Sequence, residues 1–298
     1  MSSRGPRFDP ASAWQTLLEQ VALGCRAPGT IGHANAADLF EQRLADVAAR
    51  ASNVGAPARQ SWDIDFRGQP TTLTNVMVRI AGSDPDAPTT LVGSHYDARW
   101  IADRDPDPTR RGDPIPAAND GGSGTALMLE LARALGEQPP TGDVVLAFFD
   151  GEDLGDVDGF PYAVGSRRFA SETPDGFAAD RVVALDMVGG KEMALNIEAN
   201  SLSDPVGRAI FTDLFRLGRS AGRSAFYGGQ TRWIYSDHGP FLDVGLPAVC
   251  LIDIDYPQWH THADRPEACQ PESIRQVGDT LLEYLRGPGG GVPESTPW

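Results

Sequence analysis

Five short polar motifs interrupt an otherwise apolar pattern: His95-Tyr96-Asp97, Asn119-Asp120-Gly121-Gly122-Ser123-Gly124, Asp150-Gly151-Glu152-Asp153, Leu185-Asp186-Met187 and Trp259-His260-Thr261. Each follows an apolar run of the sort that makes a buried strand, or lies in a polar turn. Carboxylates and imidazoles collected at strand ends are how open α/β sheets build active sites. A donor set of nitrogen and oxygen suits zinc, and a catalytic zinc keeps one position open for substrate. The expected chemistry is metal-assisted.

Asp150-Gly151-Glu152-Asp153 carries the strongest signal. Adjacent acids after a buried strand cannot both point the same way, so one can bind metal while its neighbour faces substrate as a proton shuttle. A partly desolvated carboxylate near a metal is tuned toward neutrality, as general acid–base work requires. His95 and Asp97 project to the same side of a strand terminus. His95 then binds metal or hydrogen-bonds a ligand, and Asp97 orients it. Asp120 opens a helix after a glycine-rich turn; a helix cap is the plain alternative, but the glycines permit close backbone approach. Asp186 closes a buried strand with an ionisable group, which is costly unless paired. Trp259 sets an aromatic wall beside His260. His33 and His262 read as loop residues, and His238 as a local hydrogen-bonding residue.

These motifs need a scaffold that stacks them. Apolar runs at 89–94, 144–149 and 182–186 read as buried strands, with another at 247–252. Helical patterns cover 11–25, 34–51, 125–136, 165–171, 205–220 and 272–286. Alternating segments at 61–66 and 72–81 predict an antiparallel hairpin around Gly68. Strand–helix alternation implies an α/β fold: one domain with a mostly parallel mixed β-sheet covered by helices on both faces. The longest stretch without predicted structure, 98–118, connects two motifs and is expected to rim the site. Residues 1–10 are expected to form a flexible arm, 11–286 the catalytic domain, and 287–298 a disordered tail.

Composition limits the partners. The chain has 298 residues with 41 acidic and 25 basic side chains, a formal net charge of -16. Such a field repels phosphate backbones and anionic lipid, so neither nucleic acid nor a membrane is the expected partner. Three cysteines, Cys25, Cys250 and Cys269, make no disulfide framework and suit a reducing compartment. No signal-type apolar core follows the N-terminus, so a cytoplasmic location is expected.

The combination of Ser94-His95-Tyr96-Asp97, the 128–135 helix, Phe148-Phe149-Asp150-Gly151-Glu152, Gly165-Ser166-Arg167, Asp237-His238-Gly239-Pro240-Phe241-Leu242 and Trp259-His260-Thr261 resembles the zinc aminopeptidase and glutaminyl cyclase family of metallopeptidase-like proteins. The likeness covers roughly residues 30–286 and is strongest to the animal-type glutaminyl-peptide cyclotransferases. It implies Asp120, Asp153 and His260 as zinc ligands and Glu152 as the proton-shuttling acid. Asp186 matches an acid that hydrogen-bonds substrate in the cyclases and binds a second zinc in the aminopeptidases, where His95 would be its co-ligand. Trp259 resembles the cyclase pocket wall, with Tyr256 expected beside it. The resemblance also implies a cis peptide between Asp120 and Gly121.

Three positions depart from the family pattern. Asp153 stands where glutamate is usual. Ser236 falls where the cyclases carry a further acid, for which Asp237 is the neighbouring candidate. A second pocket tryptophan has no counterpart, leaving Phe160 or Tyr162 to fill that space. The resemblance implies a cyclase holding one zinc, which closes N-terminal glutamine of a peptide or small amide substrate to pyroglutamate and releases ammonia. The alternative is a dinuclear aminopeptidase using the same residues, and a catalytically degenerate binding protein is the remaining option.

Overall fold

The computed structural model describes residues 7–287. The expected tail, apart from residue 287, and residues 1–6 of the expected arm lie outside the described residues. The rest of that arm is docked: Phe8 is buried against Gly278, and Asp9 caps the first helix by accepting from the backbone N–H groups of Ala11 and Ser12.

The elements run α1 (Pro10–Ala22), α2 (Ile31–Ala48), β1 (Ala58–Phe66), β2 (Gln69–Ile80), β3 (Thr90–His95), α3 (Gly122–Glu137), β4 (Val144–Phe149), α4 (Val164–Ser171), β5 (Arg181–Asp186), β6 (Ile197–Glu198), α5 (Pro205–Ser220), β7 (Thr231–Arg232), α6 (Gly239–Asp243), β8 (Ala248–Ile252) and α7 (Pro271–Arg286). A six-stranded sheet has the order β1-β2-β4-β3-β5-β8, and β6 pairs with β7 in a separate two-stranded ribbon. The β1–β2 hairpin is antiparallel, β2 joins β4 antiparallel, and β4, β3, β5 and β8 are mutually parallel.

Both sheet faces are covered, which is why β3, β4, β5 and β8 are buried along their whole length rather than alternating. On one face Phe148 stacks on Phe40 of α2 at 4.8 Å between ring centroids, within a core shared by α1, α2, α3, α5 and α7. On the other, Phe149 meets Phe169 of α4 at 5.8 Å and Phe241 of α6 at 6.0 Å. Burying each such ring stabilises the fold by about 2–3 kcal/mol.

From β3 the chain crosses through α3 to β4 on one side. It then crosses through α4 to β5 on the other side of β3. The order therefore reverses at β3, and ligand crevices form at such a reversal outside the carboxyl ends of the strands. His95 ends β3, Glu152 and Asp153 follow β4, Asp186 ends β5 and Asp120 precedes α3. Among the described residues, no helix is long and apolar enough to cross a membrane.

Candidate metal centre

Each strand end delivers its polar residue to one buried point. His260 Nε2 lies 3.3 Å from Asp153 Oδ1 and 3.8 Å from Asp120 Oδ2. His95 Nε2 lies 3.3 Å from Asp120 Oδ1 and 3.7 Å from Asp186 Oδ1. Asp120 thus faces two bays, one with Asp153 and His260, the other with His95 and Asp186. Atoms of His95, Asp120 and Asp153 also lie within 4.8 Å of one another. Ligands bonded tetrahedrally to one zinc at about 2.0–2.1 Å stand roughly 3.3 Å apart. The spacing therefore suits a shared cation.

A second observation agrees. Both ring nitrogens of His95, Asp120 Oδ2, Asp153 Oδ2 and Asp186 Oδ1 are buried without a hydrogen-bond partner. Buried charge without partners is expensive, and coordination to a metal is one of the few ways to offset it. Imidazole and carboxylate together match the preferences of zinc.

Two aspartates clamp the turns that carry these groups. Asp97 accepts the backbone N–H of Glu152 at 3.0 Å and of Asp153 at 3.1 Å, one on each oxygen. Its Oδ1 also stands 3.4 Å from His95 Nδ1, a charge-pair distance without a hydrogen bond, so Asp97 faces the imidazole while clamping the acidic turn. Asp264 does the same for the other turn, accepting from Asn119 N–H at 2.9 Å and Asp120 N–H at 3.1 Å. Tyr256 donates its hydroxyl to Asp264 at 3.0 Å, so its polar end supports the clamp. Buried Arg26 donates to the carbonyls of Tyr96 and Ala117, tying the two segments together.

The backbone between Asp120 and Gly121 is trans, which corrects the expected cis bond. Gly121 has φ 77°, a left-handed value, and a Cβ there would lie 2.9 Å from the His95 ring. The turn is accommodated by glycine's φ rather than by the peptide isomer. His260 itself has φ 56° and Met187, after Asp186, φ 48°. Such conformations cost about 1–3 kcal/mol each in non-glycine residues and persist where the surroundings enforce them.

Electrostatics follow from packing acids together away from water. Burial, with Asp153 nearby, pushes Asp120 up to about 7. Burial also raises Glu152 well above the ordinary glutamate range, and the neighbouring acids add to this despite His95. Asp237 rises to about 7, again chiefly through burial. Burial opposes the charged form of His260, but Asp103 and Asp153 outweigh it and raise the imidazole to about 9.

The remaining expected residues fall in distinct places. Ser236 donates to Asp186 Oδ2 at 2.9 Å, while Asp237 accepts from Ser166 at 2.7 Å. The serine therefore contacts the Asp186 carboxylate, and its acidic neighbour faces α4. Trp259 packs on His260 with ring centroids 4.4 Å apart. Tyr162 carries the Arg99 guanidinium over its ring at 5.5 Å, and Arg99 donates to the Asp153 carbonyl. Phe160 packs against Phe66 of the hairpin at 5.9 Å. His33, expected in a loop, lies on α2 because Thr30 caps that helix; its Nε2 meets Asp150 at 2.7 Å. His262 pairs with Asp105 at 2.8 Å.

Some supporting residues were not singled out from the sequence. Asp103 Oδ1 stands 3.1 Å from His260 Nδ1, in the long loop expected to rim the site. Asp264, four residues after His260, had only that proximity as a signal. Glu198 is fully buried and accepts from the backbone N–H of Asn200 at 2.9 Å and of Ser201 at 2.6 Å; His238 Nε2 lies 3.2 Å away. It braces the segment carrying Ser236 and Asp237.

Known proteins resemble this chain in sequence and fold. Residues 75–285 match Peptidase family M28. A glutaminyl-peptide cyclotransferase of Boiga irregularis is 31% identical over 232 residues, covering 65% of this chain and 61% of that protein. Aminopeptidase YwaD of Bacillus subtilis is 31% identical over 178 residues, covering 56% of this chain and 36% of that protein. The chain thus spans about three-fifths (61%) of the length of that cyclotransferase. Among solved structures, a glutaminyl cyclase of Bacteroides thetaiotaomicron bound to N-acetylhistamine superposes with TM-score 0.84 at 25% identity, covering 95% of this chain and 99% of that one. A Zn-dependent exopeptidase of Parabacteroides distasonis superposes with TM-score 0.84 at 26% identity, with the same coverage. The match over most of the chain and the convergence of its acids and imidazoles lead to one conclusion: this chain belongs to peptidase family M28.

Proposed function

We propose that the protein is a zinc-dependent glutaminyl-peptide cyclotransferase, closing N-terminal glutamine to pyroglutamate with release of ammonia. The observation that carries this is that His260 Nε2 stands 3.3 Å from Asp153 and 3.8 Å from Asp120, with the ring of Trp259 packed on its imidazole. Asp120, Asp153 and His260 would hold the zinc, and a bound zinc supplies Lewis-acid polarisation of the γ-amide carbonyl.

The chain's own residues do the rest. Glu152 is nearly inaccessible to water and poised toward neutrality by burial, so it suits proton transfer. It takes a proton from the α-amine as that nitrogen bonds to the γ-amide carbon. It returns the proton to the amide nitrogen as the carbon–nitrogen bond breaks and ammonia leaves. Asp186, held by Ser236, orients the amine. Trp259 packs against the side-chain stem of the substrate and helps to exclude water, which favours ring closure over hydrolysis.

A second reading rests on the other bay. His95 Nε2 and Asp186 Oδ1 both face Asp120, an arrangement able to hold a second zinc, as a dinuclear aminopeptidase requires. In that enzyme Glu152 takes its proton from water. Turnover of Gln-, Glu- and Leu-terminated peptides with and without chelator separates the two. Pyroglutamate and ammonia from Gln-peptides support the cyclase. Release of leucine without any pyroglutamate overturns it in favour of the peptidase.

A further inference from the structure

Beside the metal centre opens a cavity of about 490 Å³, lined by Arg104, Arg232, Trp233, Asp255, Trp259 and Thr261 among others. Its size falls within the range of small-ligand sites, about 300–1,000 Å³. Trp259 and Thr261 flank His260, so the cavity adjoins the centre, while Asp120, Asp153 and Glu152 are absent from its wall. A peptide whose N-terminal residue sits at His260 would direct its following residues here.

The charge of this cavity is anomalous. The chain carries a formal net charge of -16, yet two arginines meet one aspartate in this wall. Arg232 and Asp255 neutralise each other at 2.8 Å. Arg104 is left over: among the described residues its guanidinium has no carboxylate partner, and it lies 4.0 Å over the Trp259 ring. Its backbone N–H donates to the His260 carbonyl at 3.3 Å, which fixes its position relative to the centre. Stacking on an indole leaves the edge of the guanidinium, with its fork of donors, free to bind a carboxylate. Trp233 stands on the rim with 78% of its surface in solvent, an exposed aromatic face beside Arg104 and Arg232 in the same wall.

We propose that this cavity is a carboxylate-binding subsite for the part of the substrate that follows its N-terminal residue, with Arg104 as the selecting group. The proposal rests on the reading that the enzyme acts at peptide N-termini, and it deepens that reading by naming what the next residues should carry. The carboxylate is either an acidic side chain or the free C-terminus of a short peptide.

The test compares, on the zinc-loaded enzyme, kcat/KM for Gln-Glu-Ala-amide against Gln-Gln-Ala-amide, and for Gln-Ala against Gln-Ala-amide. The first pair reads a side-chain carboxylate and the second a terminal one. Wild type should favour at least one carboxylate form by about three- to tenfold, as an exposed charge-assisted pair allows. The preference should weaken at high salt. In Arg104→Gln the ratio should fall to near one, in Arg104→Lys it should be partly kept, and in Arg104→Glu it should invert. No preference in wild type for either form, or a preference surviving in Arg104→Gln, overturns the proposal.

If Gln-peptides yield no pyroglutamate, the cyclase reading fails separately, and the same ratios are measured on Leu-led peptides. If neither series turns over, quenching of tryptophan emission by pyroglutamyl-Glu-Ala-amide against pyroglutamyl-Gln-Ala-amide gives the ratio of Kd values. Tighter binding of the acidic peptide, lost in Arg104→Gln, supports the subsite; equal binding overturns it.

Discussion

Replacing Glu198 with glutamine should cost stability in a pH-dependent way. This carboxylate is fully buried, faces His238 at 3.2 Å and accepts from two backbone N–H groups and the Ser201 hydroxyl. Burial alone would raise its pKa, but His238 and these donors outweigh it and lower the group from 4.5 to about 2. A shift of that size corresponds to about 3 kcal/mol at roughly 1.4 kcal/mol per unit. Because glutamine can still accept one of these hydrogen bonds, about 2 kcal/mol of that is lost on substitution. A pKa depressed by folding contributes stability above pH 4.5 and loses it as pH falls toward about 2. Glutamine keeps the shape and one acceptor but has no charge to titrate. The variant should therefore be less stable than wild type by about 2 kcal/mol at pH 7, with a gap of about 1 kcal/mol or less near pH 3. Denaturant unfolding followed by tryptophan emission at pH 7, 5 and 3 measures this. A gap that stays constant across that range, or no gap at pH 7, refutes the argument that His238 holds an ionised Glu198.

Other outcomes follow from the same geometry. Glu152→Gln should lower kcat by about 10²–10⁴-fold with zinc content unchanged by elemental analysis; a loss below tenfold assigns the proton transfer elsewhere. Dialysis against a chelator should abolish turnover reversibly while far-UV circular dichroism is retained, because Asp97 and Asp264 hold the ligand-bearing turns through backbone N–H groups; unfolding on chelation contradicts this. Gly121→Ala places a Cβ 2.9 Å from the His95 ring at φ 77°, so it should cost about 1–2 kcal/mol and reduce zinc content. Phe148→Ala removes the ring stacked on Phe40 and should cost about 3–5 kcal/mol by thermal or denaturant unfolding.

Much of this was legible in the residues because buried parallel strands announce themselves. Val144–Phe149 has no polar residue, and the acids that follow it stand out by contrast. The hairpin and the long helices were visible for the same reason: periodicity persists over enough residues to be read. The ribbon of Ile197–Glu198 with Thr231–Arg232 and the helix Gly239–Asp243 are too short to carry a period. Long-range polar contacts were equally silent. His33 meets Asp150 across 117 residues, and Asp264 reaches Asn119 across 145, so no local pattern records either. The resemblance implied candidate ligands that the fold brings near one another, and it implied a cis bond before Gly121 where the structure has a trans one.

The loop between β3 and α3 serves two masters. Asp103 faces the His260 imidazole, Asp105 accepts from the His262 backbone at 2.9 Å, and Arg104 between them lies over Trp259. A substitution at position 104 therefore alters the cavity wall alone, whereas one at either neighbour also releases a contact to the segment around His260.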